Sequence, residues 1–392
     1  MVGDIYIYTR VLKCLKMSRN FFLSGLFILF AFPLQSQNCE DILNLLLANK
    51  TITRQQADSI RSLAASKLTA SSSTNKSFWA SALKQINISG YMQMRYQAYQ
   101  ESGKISSFDI RRAGIDIKGS ITRNINYRFQ SEFALSPKLL DAYAELRLKD
   151  YFNLMAGQFK IPFSLENLTS STTMESIDRS QAVEALVYRG KDVMGNQNGR
   201  DIGVQASGNL LKINDRPFVH YRLGLFNGNG INRVDSATNS KLLVGRLVIH
   251  PLPGLDIGGS YLNGHEYYTP DPKVLPKANY NLVRYDFEIS FDYNAFSLRG
   301  EYLAGKDGEL SRTGYYVQAG YYLIPKKLEV LGKVDSYDKK RSDTGDRSDW
   351  YCLLVNYNFD PLTRLQAGYY LKHEETNEVR NNLTVIQFQC GF

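Results

Sequence analysis

The sequence predicts an all-β protein: a transmembrane antiparallel up-and-down β-barrel of about sixteen strands, preceded by a short helical hairpin. Three observations predict it. From Ile86 to Phe392 the chain repeats segments of about ten residues in which apolar and polar side chains alternate. Every second connection between these segments is short, and those between are mostly longer. The chain closes on Val385-Ile386-Gln387-Phe388-Gln389-Cys390-Gly391-Phe392, where apolar residues alternate with polar ones up to a terminal aromatic. Strand side chains point to opposite faces at each step, so alternation gives one apolar and one polar face. Membrane barrels turn the apolar face outward and join strands by short turns at one end and longer loops at the other.

Bulk composition agrees. Hydrophobic content is 43% and mean hydropathy −0.31, too polar for a bundle of membrane helices, while Tyr (26) and Phe (20) far outnumber Trp (2). Aromatic rings suit strands and membrane interfaces alike. Net charge is +9; residues 1–37 hold four bases and one acid, so +6 remains without them. With no dense Lys/Arg run, nucleic acid is not an expected partner.

Taken in order, residues 17–37 read as a secretory signal: Arg19 supplies the charge, Phe21–Phe32 the apolar run, Ser36 the small residue near its end. An apolar run of twelve residues is too short for a helical membrane span. The preceding residues fit no signal, so 1–37 is read as a signal peptide whose true start is Met17. Residues 38–80 read as a periplasmic helical hairpin and Ser/Thr linker. Its first helix is Glu40–Asn49 and its second about Arg54–Ser66, where Thr53 and Gln56 form a capping box; Ser71–Ser77 is the linker.

The barrel is expected over 86–392, with segments near 87–99, 107–120, 124–135, 139–149, 151–163, 199–209, 217–227, 240–250, 254–264, 280–293, 296–305, 311–323, 327–337, 349–359, 363–373 and 381–392. The short connections carry turn formers, as in Lys149-Asp150, Asn294-Ala295 and Asp360-Pro361-Leu362. Two exceptions stand out: Ser136–Lys138 as a very short outer loop and Leu210–Arg216 as a longer inner turn.

Sixteen strands leave a water-filled lumen. Alternation places Arg95, Arg112, Arg128, Arg147, Arg284, Arg299 and Lys333 on its wall, with Asp116, Glu132, Glu145, Asp286, Glu288, Glu301 and Asp335. The longest loop, 164–198, is expected to fold inward and constrict the pore. It carries Arg179, Arg189 and Lys191, with Arg200 just beyond. Cations in a narrow passage of low dielectric hold anions more strongly than in bulk water.

Gly157-Gln158-Phe159-Lys160-Ile161-Pro162-Phe163-Ser164-Leu165-Glu166 resembles the G-Q-F-K-x-P-F-S-x-E segment of the phosphate-selective porin O and P family. Ile110-Arg111-Arg112-Ala113-Gly114 and Ala142-Tyr143-Ala144-Glu145 are similar to two further family segments. The resemblance implies a sixteen-stranded homotrimeric porin with pore arginines. It carries over to Arg111 and Arg112 by motif, and to Arg179 and Arg189 by loop position. Its partners would be outer-membrane lipid and small anions or hydrophilic solutes.

Other functions have less support. The four histidines (His220, His250, His265, His373) accompany no G-x-S-x-G or H-E-x-x-H motif, which weakens a barrel enzyme. The modest outer loops weaken a surface-binding or adhesin barrel. Cys39, Cys352 and Cys390 lack metal-ligand spacing, and neither metal nor cofactor is expected.

Overall fold

The structure is a computed structural model that describes residues 53–59, 62 and 86–392, apart from short stretches within 234–238 and 269–277, residues 344 and 377, and the side chains of a few further positions. The signal peptide and most of the hairpin and linker lie outside the described residues. Residues 54–59 are helical, and the Thr53 N–H donates to Gln56 Oε1 (2.9 Å) while the Gln56 N–H donates to Thr53 Oγ1 (3.3 Å), the capping box read from the sequence.

The remainder is a closed barrel of sixteen antiparallel strands, each paired to its neighbours in sequence, with β1 (Ile86–Tyr99) paired to β16 (Leu383–Gly391). In between run β2 (Ser107–Ser120), β3 (Ile125–Glu132), β4 (Lys138–Lys149), β5 (Phe152–Lys160), β6 (Arg200–Ile213), β7 (Arg216–Phe226), β8 (Leu242–Leu252) and β9 (Leu255–Tyr268). They are followed by β10 (Ala278–Tyr293), β11 (Phe296–Asp307), β12 (Leu310–Ile324), β13 (Leu328–Asp338), β14 (Arg347–Asn358) and β15 (Arg364–Glu374). At the seam, Gly90 and Phe392 exchange two backbone hydrogen bonds of 3.0 and 2.9 Å.

Alternation governs both faces. On β10, Tyr285, Phe287 and Ile289 are exposed outward while Arg284, Asp286 and Glu288 are buried inside. On β14, Tyr351, Leu353, Val355 and Tyr357 form the outward row. An outer surface so continuously apolar is stable only against another apolar phase, here the acyl chains of a bilayer.

Three local features differ from the sequence expectation. The β6–β7 connection is only Asn214-Asp215, both at positive φ (52° and 60°), the two-residue turn whose twist matches paired strands. The sequence expectation is a longer turn over Leu210–Arg216, whereas β6 continues through Leu211, at φ 54°, to Ile213. At the other end, β11 and β12 also meet tightly, through Gly308 and Glu309. Finally, β2 is bulged: Gln93 pairs with Arg112 but Met94 pairs with Ile110, leaving Arg111 as an extra residue. Strict alternation would send Arg111 and Arg112 to opposite faces. The bulge turns both inward, while Ile110 and Ile115 stay outward.

Between β5 and β6 the chain enters the barrel. It forms two short helices, α1 (Leu165–Leu168) and α2 (Gln181–Leu186), capped by the Ser164 and Ser180 side chains. Gly157, just before this departure, has φ +131°; a Cβ there would stand on the Ala142 carbonyl oxygen and 2.7 Å from Tyr143 Cα. Gly157→Ala should therefore strain the backbone and push β4 away. The expected result is a sharply lower yield of heat-modifiable folded barrel on gels, and wild-type yield would remove this constraint.

Candidate pore and its inward loop

The loop is fixed to one side of the lumen by the carboxylates of that wall. Glu301 on β11 accepts from the Leu165 and Glu166 N–H groups (3.0 and 2.7 Å), and Asp335 on β13 accepts from the Gln181 N–H (3.0 Å). These are the first N–H groups of α1 and α2, which have no partner inside their own helices. Lys333 pairs with Glu166 at 3.0 Å. Arg284 on β10 grips Asp192 of the loop (2.5 Å) and Asp307 (2.9 Å), donates to the Leu186 carbonyl (2.8 Å), and is fully buried; Asp307 also pairs with Arg312. Around these contacts Ala182, Val183, Ala185 and Leu186 pack with Leu282, Leu303, Tyr316 and Tyr337 of β10–β13.

The opposite flank is gripped more lightly. Asp178 of the loop accepts from Arg111 (2.8 Å) and approaches Arg95 (3.5 Å), which is itself paired to Asp109 (2.6 Å). The ends of the loop meet at Asn167. Its amide donates to the Ile161 and Gly199 carbonyls (both 3.3 Å), and its Oδ1 accepts from Arg189 Nε (3.0 Å) and Nη2 (2.7 Å). Gly199 has φ +68°, and a Cβ there would overlap Asn167 Oδ1. Asn167→Ala removes these contacts, including those to a guanidinium, which are worth about 1.5–3 kcal/mol. It should lower the thermal midpoint of the barrel in detergent; an unchanged midpoint would show the loop ends hold without Asn167.

A cavity of about 470 Å³ lies open between the loop and strands β2–β7. Its lining is strongly cationic: Arg112, Arg128, Arg147, Lys160, Arg179, Arg189, Arg200 and Arg222 face two carboxylates, Asp141 and Glu145. Arg128 and Arg200 share Asp141 (3.3 and 2.6 Å), Arg128 also reaches Asp116 (2.8 Å), and Arg147 pairs with Glu145 (3.0 Å). The other cations are less compensated. Arg112 stands 3.5 Å from Glu132, with its buried Nε bonded to nothing among the described residues. Lys160 Nζ donates to the Leu168 and Thr169 carbonyls (3.1 and 3.0 Å), and Arg179 donates to the Glu166 and Thr169 carbonyls (3.1 and 2.9 Å). Arg189 has the neutral Asn167, and Arg222 donates to His220 (3.2 Å). Among the described residues none of Lys160, Arg179, Arg189 and Arg222 forms a salt bridge, so their charge is directed at whatever occupies the cavity.

On the loop this crowding acts on the guanidinium groups themselves. Burial, and then the nearby Arg112, lowers Arg179 to about 10. Arg189 is pushed down by burial and then by Arg179. Both remain guanidinium ions at neutral pH. An anion in the cavity would relieve that mutual repulsion.

The sequence-nominated residues therefore divide. Arg112, Arg128, Arg147, Arg179, Arg189 and Arg200 line the opening. Arg95 and Arg111 are engaged with Asp178 and hold the loop. Lys191 lies apart, its ammonium 5.0 Å from the Trp350 ring, which also receives Lys372 at 4.4 Å. Lys160 and Arg222 were missed. Arg222 follows His220 by two residues on β7, and both side chains face the cavity, so alternation along β7 would have found it. Lys160 sits at the strand end, where alternation gives no reliable face. Cys352 points into the lumen and Cys390 outward, both as free thiols.

Comparison with known proteins agrees with this fold. A protein of Aquifex aeolicus (strain VF5) with no assigned function is 24% identical over 304 residues, covering 66% of this chain and 69% of its own. Among solved structures, the anion-selective porin from Comamonas acidovorans superposes with a TM-score of 0.59 at 11% identity, covering 78% of this chain and 99% of its own. The trimer form of OmpT of Vibrio cholerae (0.56, 10%, 78% and 99%) and the channel DcaP of Acinetobacter baumannii (0.55, 12%, 78% and 97%) share the fold. Over residues 86–253, which span β1 to the end of β8 and include the inward loop, the chain matches the family model described as phosphate-selective porin O and P.

Proposed function

We propose that this protein is an outer-membrane porin through which small hydrophilic solutes diffuse passively, with a preference for anions of the phosphate class. The observation that carries the reading is the cavity beside the inward loop, where eight cations face two carboxylates and four of those cations have only neutral partners. A charge of that sign in a confined passage raises the local concentration of anions and opposes cations. Loop 164–198 is the constriction, and the cationic lining between it and β2–β7 is the selectivity region. The anion-selective porin with the same fold supports the reading.

In this reading the protein is a channel and not an enzyme. Residues 1–37 are removed on export, and 38–80 form a periplasmic appendage. Three barrels associate, as in the trimeric relative. N-terminal sequencing of the mature protein tests the first point, and cross-linking in mild detergent the last.

The deciding experiment is conductance in planar bilayers. Purified folded protein should give discrete steps, and a KCl gradient should give a reversal potential of the sign set by chloride. Millimolar phosphate should reduce the chloride current by competing for the cationic opening. Absence of steps from folded protein would reject the porin; a cation-selective reversal potential would reject the selectivity.

A further inference from the structure

Behind the loop, on the wall away from the opening, three carboxylates are buried together. Asp286 and Glu288 share the inward face of β10, and Glu301 lies directly across from Glu288 on β11. One oxygen from each comes within 4.8 Å of the other two. That spacing suits a cation bound at the 2.3–2.6 Å typical of calcium–oxygen contacts.

Most of the surrounding oxygens have partners. Glu301 accepts from the Leu165 and Glu166 N–H groups and from Tyr316 Oη (2.7 Å). Glu288 is paired with Arg246, and Asp286 Oδ2 accepts from Ser260 (3.3 Å). Asp286 Oδ1 is different: it is buried and has no hydrogen-bond partner among the described residues, in a side chain only 1% exposed. A buried carboxylate oxygen left bare is costly. Charge leads to the same point. Three carboxylates against the single guanidinium of Arg246 leave two negative charges, which is what one divalent cation neutralises; the neighbouring Lys333–Glu166 pair is already balanced.

We propose that Asp286, Glu288 and Glu301 hold one divalent cation of the calcium type, inside the barrel wall and behind the constriction loop. All three ligands are oxygens, the set preferred by hard cations. Glu301 would touch both the ion and the first turn of α1, so the ion fastens the start of the loop to β10 and β11. This role is separate from solute passage on the far side of the loop.

The test uses full-length barrel folded in detergent, stripped with chelator and dialysed. Terbium, a calcium mimic, is titrated while tyrosine-sensitised luminescence is followed, and thermal unfolding is measured with and without calcium. One saturable equivalent and a higher midpoint in calcium are expected, both lost in Asp286→Asn and both kept in Asp343→Asn, which alters a carboxylate in an outer loop. A crystal of the wild-type protein soaked in manganese keeps the proposal testable if Asp286→Asn does not fold; an anomalous peak between the three carboxylates is expected. No binding, equal binding by folded Asp286→Asn, or anomalous peaks only elsewhere would overturn it. In that case a proton shared within the cluster takes the place of the ion.

Discussion

Replacing Lys160 and Arg179 together by glutamine should lower the anion-over-cation permeability ratio by roughly an order of magnitude or more. Both side chains line the opening and neither has a carboxylate partner. A unit charge 4 Å from a passing ion is worth about 1 kcal/mol even at the dielectric constant of water, and about 4 kcal/mol at an effective value near 20. Two such charges therefore contribute at least about 2 kcal/mol to the discrimination. Glutamine at either position can still donate to backbone carbonyls the wild-type side chains use (Leu168 and Thr169 for Lys160, Glu166 and Thr169 for Arg179), so the loop should keep its course. Reversal potentials across a KCl gradient give the ratio directly. A double variant as anion-selective as the wild type would move the selectivity away from this cavity. The matching substitution of Arg95, which is already neutralised by Asp109 and Asp178, should change the ratio far less.

The second large effect concerns the anchor. Arg284→Met leaves Asp192 and Asp307 buried together, with Arg312, among the described residues, the one remaining cation paired to Asp307. Breaking a buried ion pair by removing one partner costs about 3–5 kcal/mol, because the charge left behind is uncompensated. Asp192 belongs to the loop, so the cost falls on the attachment of α2 to the wall. The channel should show larger and noisier conductance steps, and the loop should become sensitive to limited proteolysis between α2 and β6. Replacing Arg284, Asp192 and Asp307 together by similar-sized apolar residues should restore much of the lost stability, since no charge remains to be stranded. Wild-type step size in Arg284→Met would mean that the packing of Ala182, Val183 and Leu186 suffices to hold the loop.

Much of this architecture was legible in the sequence. Two-sided alternation is dictated wherever a strand separates lipid from water, so segments such as Val283–Ile289 could be oriented from residue type alone. Strand ends were less clear, because alternation lapses there, as where Leu210 and Leu211 follow one another at the end of β6. The expectation of an inward loop rested on its length and charges. Its attachment was not legible, because it depends on pairs far apart in the chain, such as Arg284 with Asp192 and Glu301 with the start of α1. The same gap explains why the wall residues, seven cations and seven acids by alternation, name no ion when read from the sequence alone. Many of its carboxylates, Glu301, Asp335 and Asp307 among them, are used in fixing the loop or its anchors, and the arginines of β2–β7 are left beside the opening. Charge counted along the chain is not charge presented to a solute.

The bulge in β2 has a consequence for how this strand tolerates length changes. Each of its faces meets a different solvent, so losing one residue at Ile115 would exchange lipid-facing and water-facing side chains along everything on one side of the break. Losing Arg111 would not. It is the surplus member of the ladder, and without it Gln93 and Met94 would face consecutive partners again, with every other side chain keeping its side. The strand thus holds one removable residue, and that residue is the arginine reaching across to Asp178. A shortened chain lacking it should still close as a barrel and still present Arg112 to water, while giving up one of the two guanidinium contacts on Asp178.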